Sequence, residues 1–507
     1  MAARSEDRSG SPACPSSGAP SSNPGLGAGL PRSVLAGFGS PGFIALTALA
    51  VLGFLWLGRG LPRVPWVASD TQSYVSFSPV RPHGYSLFLA AYRLLFSDLA
   101  YLPSLQFGLY VGAVFLLALA VGRRTCNFAA AAATLLITFA AADMTDFPYI
   151  LSDGIYAAAL TAGMACLILY AETLRPTLLV LAATGFGIAL TCRAIGVALL
   201  PGFFLAVMAS RIGRRGGLAR VILLSLLPIT VLYCGAASSQ LVHNGRFTLG
   251  NWGGMDLLGK LPLLSRPVSG SAGRLNEVVE AMEPARLKLA RLNPLLAALA
   301  ARQYYEYLRW YVIVPDLERT WAAWRDADDY GRGKLAAELA KAYLAEDTLG
   351  FLQRTKVDLV GLWAMPRWLT VEERAAALAE LEGVGELPFL TAFSHTSEGQ
   401  LEYYKVVPDP TDPTKVVMFR TVVVAFWILS LGFIVLVAWH RAGAVRVAPD
   451  LLSIVLAVHA VYIGTALMEG GHERYIMPTW PVLVAGPILA LGLLRRVRRQ
   501  PRWFQNS

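Results

Sequence analysis

Charged residues are scarce in this chain. They make up 15% of its 507 residues, against 55% hydrophobic, and mean hydropathy is +0.50. A soluble domain carries roughly 25% charged residues, so the composition excludes an ordinary soluble protein. The short alternating segments of a membrane β-barrel are missing as well, which excludes that architecture. Cysteine is sparse: the five are Cys14, Cys126, Cys166, Cys192 and Cys234. None lies in the long polar segment 241–417, so that segment has no disulfide framework and must fold by packing. No Cys-x-x-Cys or Cys/His cluster suggests a structural metal. No internal repeat is visible. No cleavable signal peptide precedes the first apolar run, which is itself expected to direct insertion.

What is present is a series of apolar runs near the length that crosses a bilayer as a helix. Lipid gives the backbone no hydrogen-bond partner, so such runs are read as helices. Ten are expected, at 41–58, 100–122, 127–142, 154–172, 177–192, 194–210, 218–240, 418–439, 449–468 and 475–494. The fifth and sixth abut at Arg193 and predict a tight hairpin with irregular ends. The expected fold is an all-α polytopic bundle of about ten transmembrane helices with a mostly helical extracytoplasmic domain.

Net charge is +10. In a soluble protein that balance would point to nucleic acid. Here the arginines sit beside the spans and read as topology signals. Arg123, Arg124, Arg175, Arg211, Arg214, Arg215, Arg220, Arg441, Arg446 and the Arg495–Arg502 group occupy alternate connections. By the positive-inside rule those connections are cytoplasmic, and so are both termini. The resulting organisation is a disordered Ser/Pro/Gly-rich cytoplasmic stretch at 1–33, a transmembrane module with catalytic outer loops at 34–240 and an extracytoplasmic domain at 241–417. C-terminal transmembrane helices at 418–495 and a basic tail at 496–507 complete it. In the long domain helices are expected at 274–292, 296–312, 316–346, 348–362 and 371–382, with proline-rich loop over 386–417. The first outer loop holds GYSLFLAAYRLLFS at 84–97, too short to span, which predicts an amphipathic helix in the interface.

Ionisable residues in mid-span would mark ion pathways, and the runs contain almost none, which weakens a transporter reading. Such residues cluster instead at the outer ends: Asp70, Arg81 and His83; Asp143, Asp146 and Asp153; Arg193; His472, Glu473 and Arg474. A bundle can gather these four connections into one cleft. Asp70, near Tyr74, is either a general base at the membrane boundary or a helix N-cap. Arg81, fixed before Pro82, suits a phosphate oxygen because guanidinium presents a rigid fork of donors, or else anchors the helix that follows. Asp143, Asp146 and Asp153 could hold sugar hydroxyls or a divalent ion, or are solvated loop residues and a cap. Arg193 and Arg474 are phosphate ligands or interfacial anchors. His83, Tyr85, Tyr74, His472 and Glu473 stand beside them as candidate sugar or acceptor contacts. The aromatic groups Tyr304-Tyr305, Trp310-Tyr311 and Trp363 read as packing rather than a sugar platform.

The order of these motifs resembles a known family. An Asp in the first outer loop precedes Arg81-Pro-His-Gly-Tyr and an interfacial helix; LSDGIYAAAL opens the fourth run; CRAIGVALLPG and HERYIMPTWP follow. Together they are similar to the GT-C superfamily of membrane glycosyltransferases, of the protein mannosyltransferase and lipid A aminoarabinose transferase type, over roughly 41–260 and 418–495. The resemblance implies inverting transfer of a sugar from a polyprenyl-phosphate donor to a lipid, glycan or protein acceptor. It implies a bacterial cytoplasmic (inner) membrane with the active site facing the periplasm. By that analogy Asp70 is the general base, Asp153 the second carboxylate that holds sugar or acceptor, and Arg81 and Arg474, with Arg193, the ligands of the donor phosphate. Some relatives carry adjacent acids in the first loop, where this chain has Asp70-Thr71. That favours a monophosphate donor with no required cofactor, and a divalent metal is not favoured, although Asp143 and Asp146 leave one open. The competing readings are a lipid-linked-sugar flippase and a non-catalytic scaffold that binds lipid-linked sugar. Paired broken helices, the mark of many transporters, are not visible.

Overall fold

The computed structural model describes residues 40–68, 70–140, 147–211, 217–251, 253–264, 267–364, 369–384, 412–440, 448–468 and 476–499. The described part is 83% helical and has no strand. Among the described residues, seven helices are long and apolar enough to cross a membrane: Pro41–Gly58, Leu102–Thr125, Asp153–Thr173, Leu218–Asn244, Pro413–Val435, Pro449–Met468 and Met477–Arg495. The chain is an all-α, polytopic membrane protein. The three other expected runs form shorter apolar helical stretches, Phe128–Ala140, Pro176–Cys192 and Ala194–Ala209. The 17 residues of Pro176–Cys192 rise about 25 Å at about 1.5 Å each, less than a hydrocarbon core of about 30 Å.

One helix organises the bundle. In Asp153–Thr173, 89% of the apolar window is buried inside the protein, against 11% in Pro41–Gly58 and 28% in Leu218–Asn244. It is apolar on every side, as a central helix must be. Small residues let its neighbour approach: a Cβ on Gly185 would stand 2.7 Å from the Gly163 Cα and 2.8 Å from the Ala159 carbonyl oxygen. Close backbone contact of this kind replaces the hydrophobic drive that lipid does not provide. The peripheral helices show large apolar side chains outward, among them Ile44, Trp56, Val231 and Ile428.

The expected break at Arg193 is present. Arg193 is extended (φ −145°, ψ 134°) and leads through a 3-10 turn, Ala194–Ala198, into Leu199–Ala209. The short helix expected in the first loop spans Gly84–Leu95 and buries Tyr85, Ser86, Leu89 and Tyr92 on one face. Its start lies on the end of Pro176–Cys192, where a Cβ on residue 84 would sit 2.5 Å from the Thr191 carbonyl oxygen.

Residues 255–369 enclose a second hydrophobic core around Trp324, Leu258, Leu296 and Tyr343. Three differences from expectation appear there. The run 274–292 is broken into Gly270–Leu275, Asn276–Ala281 and Glu283–Leu289, the last of which carries Pro284 in its first turn, where the missing N–H costs nothing. The run 316–346 breaks at Trp321, which is extended, and restarts at Asp328, whose carboxylate accepts from the Gly331 N–H at 2.8 Å. A helix at Gly253–Leu264 was not expected, since two glycines and Pro262 disguise it. Val371–Val384 opens with a reciprocal box: Thr370 N–H donates to Glu373 and Glu373 N–H donates to the Thr370 hydroxyl. Most of 386–417 lies outside the described residues; its end, from Pro413, begins a helix.

Candidate active site

Asp70 and the start of Asp153–Thr173 are brought together by backbone pairing between two loops. Trp66 N–H donates to the Pro148 carbonyl at 2.7 Å, and Ile150 N–H donates back to the Trp66 carbonyl at 3.1 Å. The Thr71 hydroxyl accepts from Ala68 N–H at 2.8 Å and donates to the Ile150 carbonyl at 3.3 Å. Gln106, fully buried, holds the second loop from below, donating to the Tyr149 carbonyl at 3.3 Å.

Asp70 stands at the N-cap position of the short helix Thr71–Val75, but its side chain makes no cap hydrogen bond. Its carboxylate meets the Arg81 guanidinium at 2.7 Å. Both side chains keep solvent access, 20% for Asp70 and 14% for Arg81, so a substrate can reach them. The Arg81 guanidinium also lies over the Tyr74 ring, 5.8 Å from its centre. The Tyr74 hydroxyl pairs with the Ser152 hydroxyl at 3.0 Å, and Tyr74 packs edge-on against Tyr85. Ser152 precedes Asp153, whose carboxylate meets Arg193 at 2.7 Å with side chains only 2% and 5% exposed. Two acid–arginine pairs thus share one end of the bundle, the first open to solvent and the second dry.

Of the residues singled out in the sequence, Asp70, Tyr74, Arg81, Tyr85, Asp153 and Arg193 form this connected network. Tyr85 donates to Gln106 at 2.8 Å and is fully buried, so its hydroxyl is committed to packing rather than to a ligand. His83 turns the other way. Its Nδ1 lies 3.0 Å from the Ser239 hydroxyl and its Nε2 lies 3.3 Å from the Ser78 carbonyl. Burial holds the His83 imidazole below its ordinary value, and the neighbouring His243 adds to this, while the Ser78 and Phe77 backbone opposes it. Asp143, Asp146, His472, Glu473 and Arg474 lie outside the described residues. Among the described residues no three His, Cys, Asp or Glu side chains form a group that could hold a metal.

A small pocket of about 30 Å³ opens beside Asp153, lined by Tyr110, Phe147, Gly154, Met477, Pro478 and Trp480. Its far wall is therefore the Ile476–Trp480 turn that follows the HERY motif. Gln106 escaped sequence reasoning, because a single polar residue in an apolar run carries no periodic signal, and Ser152 was legible there only as a helix cap.

Further buried ion pairs lie elsewhere. Lys260 meets Asp358 at 3.2 Å, both almost fully buried, and also donates to the Ala466 and Leu467 carbonyls that end Pro449–Met468. At the opposite end of the bundle Arg124 meets Asp450 at 2.7 Å, so that arginine is an internal partner.

Compared with protein-family models, with curated proteins and with solved structures, the chain matches none of them.

Proposed function

We propose that this protein is an inverting membrane glycosyltransferase of GT-C type, moving a sugar from a polyprenyl-phosphate donor to a lipid, glycan or protein acceptor. The observation that carries the reading is the joining of Asp70–Arg81 to Asp153–Arg193 through Tyr74 and Ser152 at one end of an apolar bundle. Lipid-phosphate chemistry needs such a place: charged groups at the membrane boundary, with apolar helix surface beside them for the polyprenyl chain.

In this reading the donor phosphate draws the Arg81 guanidinium, and Asp70 exchanges its arginine for the acceptor hydroxyl. The acceptor oxygen attacks the anomeric carbon as Asp70 takes its proton, and the bond from that carbon to the phosphate oxygen breaks. The phosphate leaves with the electron pair and needs no proton, because fixed cations stabilise charge where it develops. Arg81 supplies one such cation, and Arg474 is proposed as a second. Asp153 and Arg193, locked together, shape the wall against which the sugar lies. The membrane is proposed to be the bacterial inner membrane, with both termini cytoplasmic and this site on the periplasmic side.

The test is transfer in lipid-reconstituted protein, with radiolabelled polyprenyl-phosphate sugars and membrane extract as acceptor. Label reaching an acceptor with wild type, and not with Asp70→Asn, supports the reading. Activity that survives Asp70→Asn moves the base elsewhere. Movement of intact donor between leaflets with no transfer would replace the enzyme by a flippase.

A further inference from the structure

Arg81 sits on a loop with no regular structure, between Phe77 and His83. Something must fix its backbone if its side chain is to find a phosphate. The last turns of Leu218–Asn244 do this. Gln240, fully buried, donates to the Arg81 carbonyl at 2.8 Å and lies 3.4 Å from the carbonyls of Ser78 and Pro79. Asn244 donates to the Gln240 side-chain oxygen and to the Phe77 carbonyl, each at 2.9 Å. Phe77 is held in the left-handed region at φ 54°, an unusual place for an aromatic residue. Its ring stacks on His243, 4.1 Å between centres.

The same loop is pressed from a second side. Gly250 (φ 131°) lies so close that a Cβ there would stand 2.7 Å from the Val80 carbonyl oxygen and 3.1 Å from the Arg81 carbonyl carbon. Its neighbour Asn251 donates to the Tyr330 carbonyl at 3.2 Å in the helix Asp329–Glu346. Arg246 meets Asp328 at 2.8 Å and lies over the Tyr330 ring. A continuous set of contacts thus runs from Arg81 through Gln240 and Gly250 to the second hydrophobic core.

We propose that Gln240 is a positioning residue for Arg81, and that through Gln240, Asn244 and Gly250 the placement of the 253–384 helices sets the phosphate-binding competence of the first-loop arginine. The inference rests on the reading of Arg81 as the ligand of a lipid phosphate. A primary amide at residue 240 does what neither an apolar nor an acidic side chain would do. Leucine would fill the space but leave three loop carbonyls without this donor, and glutamate would place an acceptor against them.

The experiment uses full-length protein in lipid nanodiscs and two probes, a fluorescent polyprenyl monophosphate and the matching uncharged polyprenol. The quantity read is the ratio of their affinities, because a general loosening weakens both probes while misplacing Arg81 weakens only the phosphate. Wild type is expected to prefer the phosphate and Arg81→Ala to lose that preference. Gln240→Leu is expected to reduce it about tenfold, equivalent to about 1.4 kcal/mol, with polyprenol binding within about twofold of wild type. Asn244→Ala, a smaller change that serves if Gln240→Leu does not fold, is expected to reduce it about threefold. An unchanged preference in the folded variants, or an equal loss for both probes, overturns the positioning role while leaving the reading of Arg81 intact. A wild type without preference, or a preference that survives Arg81→Ala, overturns the reading of Arg81 and this inference with it.

Discussion

Removing one member of the Asp153–Arg193 pair should cost far more than removing both. The two charges meet at 2.7 Å, and their side chains are 2% and 5% exposed. With an effective dielectric of about 20, unit charges at that 2.7 Å separation attract by about 6 kcal/mol. The cost of drying both ions offsets much of this. Arg193→Met forfeits the attraction yet leaves Asp153 in its dry position, a change that costs about 3–5 kcal/mol. Asp153→Leu combined with Arg193→Met removes the drying cost along with the attraction, so it is expected to return to within about 1 kcal/mol of wild type. The assay is equilibrium unfolding in mixed micelles, followed by tryptophan fluorescence, for both singles and the double. Transfer activity is then measured on the double variant. A well-folded but inactive double variant would separate the pair's part in the site from its part in stability. A loss below about 1 kcal/mol in Arg193→Met, the range of exposed pairs, would refute the reasoning, since it would mean that water reaches Asp153. A double variant as unstable as the single would refute it equally.

Other tests follow from the same structure. Asp70→Asn should keep polyprenyl-phosphate binding and lower transfer by about 10²–10⁴, the span of a general base, as read by single-turnover kinetics. The His83 imidazole lies below its ordinary value of 6.5, chiefly through burial, with the ring facing Phe77, Ser239, Ser78 and His243. A depressed value means the folded state favours the neutral ring, so its contribution is whole above about pH 6.5 and is lost as pH falls further. The protection factors of the amides in residues 76–83, each rate being corrected for intrinsic exchange, should fall between pH 7 and pH 5.5, roughly the histidine range, and equal protection at both would count against this. Lys260→Met strips the partner from buried Asp358 and from the last carbonyls of Pro449–Met468; a loss of about 3 kcal/mol is expected, with Arg354 at 3.5 Å limiting it. Gly84→Ala places a methyl against the Thr191 carbonyl and should destabilise by about 1–3 kcal/mol, measured by the same unfolding assay.

The apolar runs by themselves determined the helical, membrane-embedded class, because a backbone in lipid must satisfy its own hydrogen bonds within a helix. They also placed the break at Arg193 and the short helix at Gly84–Leu95, since both depend on local length and on where charge interrupts the pattern. The candidate acids and arginines were legible as residues, but not as pairs. Asp70 by itself suits the capping of its own helix, and only the return of the chain at Arg81 gives its carboxylate another partner. Asp153 and Arg193 are neighbours because Asp153–Thr173 and Pro176–Cys192 pack antiparallel through Gly163 and Gly185, a contact no local pattern announces. The breaks at Met282 and Trp321, and the helix at Gly253–Leu264, were decided by packing around the second core, where burial outweighs propensity. Gln240, Asn244 and Gly250 belong wholly to the tertiary structure. A polar side chain near the end of an apolar helix becomes meaningful only when the loop it holds, 159 residues away in sequence, comes to lie against it.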